Sequence, residues 1–164
     1  MQESARKARN VQRMSTLHPS FAVRLGRVIR AMETDGLRPR IQDAWRSPED
    51  QLAAFNSGHS KLKFGFHNVT SADGTPEALA VDLLDDNAPL SPGKPYILKL
   101  ASAAEEEGLV TGVRWGLPLV LREAIDEALV LEDWKAPVKV GWDPLHVEPA
   151  GITVQDAKQG KRPT

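Results

Sequence analysis

The stretch "ALAVDLLDD" (78–86) places one carboxylate, Asp82, inside an otherwise apolar run. A charge in such a strand costs free energy unless a partner meets it, so the chain must fold in a way that supplies one. The choice of partner is narrow. There are four histidines and no cysteine, which excludes disulfides and thiolate metal sites and leaves His, Asp and Glu as metal-binding side chains. The nearest upstream histidine is His67, fifteen positions before Asp82. Between them lies Asp73-Gly74, a turn dipeptide. The flanks 63–70 and 77–84 alternate like strands, with Leu79, Val81 and Leu83 on one face and Ala78, Ala80 and Asp82 on the other. A hairpin folded at its midpoint sets His67 opposite Asp82, with Cβ atoms about 4.5–5.5 Å apart. Such a pair reads as a salt bridge, a catalytic pair, or two ligands of one metal. His59 is the alternative histidine.

Helix signals surround this segment. "HPSFAVRLGRVIRAMETDG" carries Phe21, Leu25, Val28, Ile29 and Met32 at helical spacing, opens with Pro19 and closes at Gly36. Residues 38–45 read as a short strand. "RSPEDQLAAFNSG" has Ser47 as N-cap, Pro48 at the first helical position and Gly58 at its end. Further helices are expected over 94–108 and 121–133, and a final strand over 137–149 with a break at Pro144. This is an α+β pattern in one domain of 164 residues. Residues 1–14 and 151–164 read as polar, flexible ends. A net charge of −1 gives no pull toward nucleic acid or anionic lipid. No apolar run approaches the ~20 residues that span a bilayer. The N-terminus lacks the apolar core of a secretory signal, which predicts synthesis in the cytoplasm.

A second constellation, "GWDPLHVE" (141–148), supplies more donors. His146 and Glu148 share one face of a strand, and Asp143 lies three residues before His146. Catalytic zinc takes three His or carboxylate ligands and leaves one position open, and a nearby carboxylate that does not bind the metal can act as general base. Asp143 has the chemistry for that role, and Glu148 for orienting a ligand. Trp45, Trp115 and Trp142 could line a cleft.

His67, then "ALAVD" ending in Asp82, then "WDPLH" ending in His146, resembles the VanY-like zinc peptidases. These are the D-alanyl-D-alanine carboxypeptidases and L-alanyl-D-glutamate endopeptidases that cut peptidoglycan stem peptides, many of them phage endolysins. "RSPEDQ" resembles the family's Arg-Ser-x-x-x-Gln helix start, and "GLVTGVRWG" its Gly-Leu…Trp-Gly segment. The likeness spans about residues 15–150. It implies a hedgehog-like fold, a small antiparallel sheet with helices packed on it, acting as a single catalytic domain over 1–164.

It also implies one Zn2+ held by His67, Asp82 and His146, with Asp143 as general base. Arg46 would contact the substrate or the developing oxyanion, while Gln51, Trp115 and Trp142 would bind substrate. The Asp-x-x-His form favours the endopeptidase, with the carboxypeptidase as the alternative within the family. A non-catalytic zinc-containing binding module of the same fold is the alternative outside it. The implied enzyme is a monomer that needs a holin or a secretion system to reach the wall. The fifteen-residue His–Asp gap fits a longer hairpin, and 117–138 an added helix beside the cleft.

Overall fold

The computed structural model describes residues 1–164. Its helices are α1 (Glu3–Met14), α2 (Pro19–Thr34), α3 (Pro48–Asn56), α4 (Lys94–Glu106), α5 (Leu119–Val130) and α6 (Val154–Lys158). Its strands are β1 (Pro39–Asp43), β2 (Val81–Asp85), β3 (Leu109–Gly112) and β4 (Asp143–Pro149), joined as one antiparallel sheet in the order β1-β2-β4-β3. This is the expected α+β class: helices packed on a small antiparallel sheet.

The core forms where the apolar stripe of α2 meets one face of the sheet. Phe21, Leu25, Val28 and Met32 pack with Ile41 of β1, Val81 and Leu83 of β2, Val147 of β4 and Leu100 of α4, all of them buried. Burial of this kind is worth about 25 cal/mol per Å² of apolar surface and is the main force holding the layers together. A second, smaller cluster joins Leu98 and Ala101 of α4 to Ile125 and Ala128 of α5 and to Ala136 and Val138. The 117–138 stretch thus brings its own helix and anchors it against α4.

Three expectations are corrected. The flank 63–70 is not a strand. Asp73-Gly74 does turn the chain, and Thr70 bridges Pro76, but Phe66–Asn68 coils into a single 3₁₀ turn. Its backbone partners explain why. Leu79 N–H donates to Phe66 O, Arg46 N–H to His67 O, and the Asn68 side chain accepts from Gly65 N–H and donates to Arg46 O. The other flank bonds the first through Glu77 and Leu79 N–H, but its Ala78 pairs elsewhere, accepting from His18 N–H and donating to Thr16 O. Ala78, Leu79 and Ala80 are all buried, so alternation of faces begins only at Val81. The last strand, for its part, starts at Asp143, not 137, because residues 137–142 pack as an irregular segment against α4, α5 and Trp115.

The third correction concerns the ends, which carry helices. At the C-terminus, Thr153 and Asp156 form a capping box for α6, Ala157 is buried, and Arg162 donates to Thr70 O. At the N-terminus, α1 lies along the outer edge of β1. Asn10 Nδ2 donates to Pro39 O (3.0 Å) and its Oδ1 accepts from Ile41 N–H (2.8 Å). One side-chain amide thereby does what a neighbouring strand would do. Arg6, only 1% exposed, adds a bond to Pro39 O, and Arg9 bonds Ile41 O and Gln42 O. An open strand edge is a template for aggregation, and α1 closes it with polar side chains. Asn10→Ala is expected to cost about 1–3 kcal/mol, because it strands the buried Ile41 N–H. Val11→Ala on the exposed side of α1 should stay within about 0.5 kcal/mol. Denaturant unfolding of both variants checks the pair.

Candidate metal centre and active site

Two strands and a turn converge on one point of the sheet face opposite the core. Asp82 of β2 pairs directly with His146 of β4, so both side chains leave the sheet on the same side. Each flank of this pair carries an irregularity. On β1, Ile41 faces Leu83 and Asp43 faces Asp82, leaving Gln42 as an extra residue. On β4, Val147 faces Thr111 but Asp143 faces the very next residue, Gly112. Pro144, Leu145 and His146 therefore have no partner on β3, and a proline without an N–H is tolerated there. This excursion brings Asp143 back toward His146.

The close approach of the two strands requires glycine. A Cβ on Gly112 would lie 2.1 Å from Asp143 O, and one on Gly141 would lie 2.4 Å from Gly112 O.

The 3₁₀ turn delivers His67 over this pair. His67 Nε2 lies 3.7 Å from Asp82 Oδ2, and His146 Nδ1 lies 3.5 Å from Asp82 Oδ1. One donor atom from each of the three residues falls within 4.8 Å of the others. Zinc–ligand bonds of about 2.0–2.2 Å at tetrahedral angles put neighbouring donors about 3.3 Å apart, so the cluster needs only a small contraction to close on an ion. The tautomers agree. His67 Nδ1 donates to Ala44 O (2.6 Å), leaving Nε2 free as a ligand atom. The Glu148 carboxylate meets His146 Nε2 (3.1 Å), leaving Nδ1 turned toward Asp82. The residues present fit a zinc ion. His67 thus meets Asp82 as expected, but by a turn above the sheet and not by hairpin register. His59 lies apart, exposed, with Nδ1 on Ser57 Oγ.

Electrostatics single out the same residues. Burial alone would raise the Asp82 carboxyl, but the contact with His146 and the charges of His67, His146 and Arg46 hold it below the usual range. Burial would lower His146, yet the Asp82 and Glu148 carboxylates on either side of its ring raise it to about 9. Asp143 has Oδ2 4.0 Å from His146 Nδ1 and lies outside the three-donor cluster. Burial pushes its carboxyl up, with Asp82 and Glu148 adding to the shift against the lowering effect of the histidines.

Arg46 is held at the start of α3. Its guanidinium pairs with Asp43 and donates to Gln51 Oε1 (2.9 Å). Gln51 is 3% exposed and its Nε2 donates to Ser60 Oγ and Leu62 O. Its amide is engaged inside the protein, where it holds the Arg46 guanidinium and the 60–62 loop. Trp115 packs at a 46° tilt against His146 (ring centroids 5.2 Å), and Trp142 at 45° against Trp115 (5.2 Å). Trp142 is 70% exposed. Trp45 is partly buried and packs against the main core. Sequence reasoning missed Asp43 and the Ala44 carbonyl. The acid–base spacing Asp43-x-x-Arg46 is the one sequence signal for the first, and a backbone carbonyl leaves none.

No protein-family model matches the sequence, and no curated protein is significantly similar to it. Among solved structures, the Serratia marcescens L-Ala D-Glu endopeptidase ChiX matches with a TM-score of 0.51 and 17% identity, over 87% of this chain and 87% of that one. The LdcB LD-carboxypeptidase matches at 0.47 and 18% identity, over 88% of this chain and 72% of that one. The vancomycin resistance D,D-pentapeptidase VanY, in complex with Zn(II), matches at 0.43 and 18% identity, over 87% of this chain and 76% of that one. The first of these likenesses shows the architecture: the chain has the fold of the L-Ala D-Glu endopeptidase ChiX.

Proposed function

We propose that the chain is a zinc-dependent peptidase that hydrolyses peptidoglycan stem peptides at the L-alanyl–D-glutamate bond. The observation that carries this reading is the three-donor cluster with a fourth carboxylate, Asp143, beside it and outside it. The endopeptidase fold seen in ChiX supports it. His67 Nε2, Asp82 and His146 Nδ1 would hold the ion. When bound, zinc supplies Lewis acidity, polarising a substrate carbonyl and bringing the pKa of water to about 7.

Asp143 takes the proton that water gives up as its oxygen attacks the scissile carbonyl, and returns it to the leaving amine as the C–N bond breaks. Its raised carboxyl suits both halves of that transfer. Arg46 keeps guanidinium N–H groups beyond those on Asp43 and Gln51 for the substrate or the developing oxyanion. Trp115 and the exposed Trp142 form an aromatic rim leading away from His146, a surface for substrate. No helix is long and apolar enough to cross a membrane. The proposed enzyme acts on the wall as a monomer after a holin or secretion system gives it access.

Mass spectrometry of digested peptidoglycan tests the bond. The expected products are fragments with a new amino-terminal glutamate. Release of the terminal D-alanine from pentapeptide stems, leaving tetrapeptides, would instead make the chain a D-alanyl-D-alanine carboxypeptidase.

A further inference from the structure

We infer that Glu148 is a positioning residue for the metal: its carboxylate fixes which nitrogen of His146 faces the cluster. This rests on the metal-centre reading above and adds a role for a residue outside the three donors. Glu148 follows His146 by two on β4, so both side chains leave the same face of the strand. Its carboxylate is largely buried, and the one side chain it bonds is His146, at Nε2 and 3.1 Å. A buried carboxylate without a partner is costly, so the pair holds both groups in place. A carboxylate only accepts, and Nε2 must therefore carry the hydrogen. In the neutral ring the lone pair is then left on Nδ1, the atom 3.5 Å from Asp82. Glu148 lies on the far side of the ring from the cluster and is not a fourth ligand.

The Ala44 carbonyl does the same for His67, at Nδ1. The two rings meet edge to face, 5.5 Å apart and at 75°, and each has its outer nitrogen tied to the protein. One tie is backbone and follows from the fold. The other is a side chain and can be removed.

The test compares zinc affinity of the whole chain, by chelator competition, for wild type, Glu148→Ala and Glu148→Gln. Glu148→Ala is expected to bind zinc roughly 10–100-fold more weakly. Glu148→Gln keeps an acceptor without the charge and should lose less. In the zinc-loaded protein, NMR should show a protected His146 Nε2–H that exchanges rapidly with water in Glu148→Ala. Should the alanine variant fail to fold, the glutamine variant and the Nε2–H signal decide. Affinities within about twofold of wild type in the folded variants would overturn the role. A wild-type chain that binds no zinc overturns the metal centre itself, and this role with it.

Discussion

Replacing Asp143 with alanine is expected to leave zinc bound and to slow cell-wall peptide hydrolysis by about 10²–10⁴-fold, the usual worth of a general base. Metal retention follows from geometry. Asp143 lies outside the three-donor cluster, with its Oδ2 4.0 Å from His146 Nδ1. Its backbone is fixed independently of the side chain, through the pairing with Gly112 that only glycine permits. The carboxyl itself is partly buried, and burial pushes it up from the usual carboxylate range. Metal analysis and the turbidity of wall suspensions, read together, check the outcome. A variant that keeps zinc and lyses at the wild-type rate removes Asp143 from the chemistry. A wild type that binds zinc and never cleaves would make the chain a binding module on the same fold.

The residues differ in how openly the sequence displays them. Asp82 is legible because an apolar strand cannot hold a lone carboxylate, and His146 because the strand period sets it beside Glu148 on one face. The meeting of His67 with Asp82 is legible as an outcome but not as a path. The hairpin register places them side by side, whereas the backbone bonds of Phe66, Arg46 and Asn68 coil the segment into a turn over the sheet. Those bonds join parts of the chain far apart in sequence, and no local pattern encodes them.

Helix α1 is hidden for a related reason. Its inward face is Arg6, Arg9 and Asn10, which serve the backbone of β1, so a search for apolar periodicity finds a polar tail. At the other end, Thr153 and Asp156 do spell a capping box, and the helix it starts is stabilised by docking of Ala157 and Arg162.

Asp82→Asn should abolish stoichiometric zinc binding and with it hydrolysis, while the protein stays folded. The asparagine has the same shape and occupies the same place between β1 and β4, but it lacks the negative charge that bridges His67 and His146. Two imidazoles then remain, facing a neutral amide, and a site that needs three ionised or basic donors falls short. The readout that separates this from simple damage is thermal. A ligand that binds only the folded state at 100 times its Kd stabilises by about 2.7 kcal/mol. For a chain of this size that is a shift of roughly 5–10 °C in Tm. A chelator should therefore lower the melting temperature of the zinc-loaded wild type by about that much and leave Asp82→Asn unmoved. If the variant keeps zinc and shows the full chelator shift, Asp82 is not a ligand, and the charge in the apolar strand serves only as an ion pair.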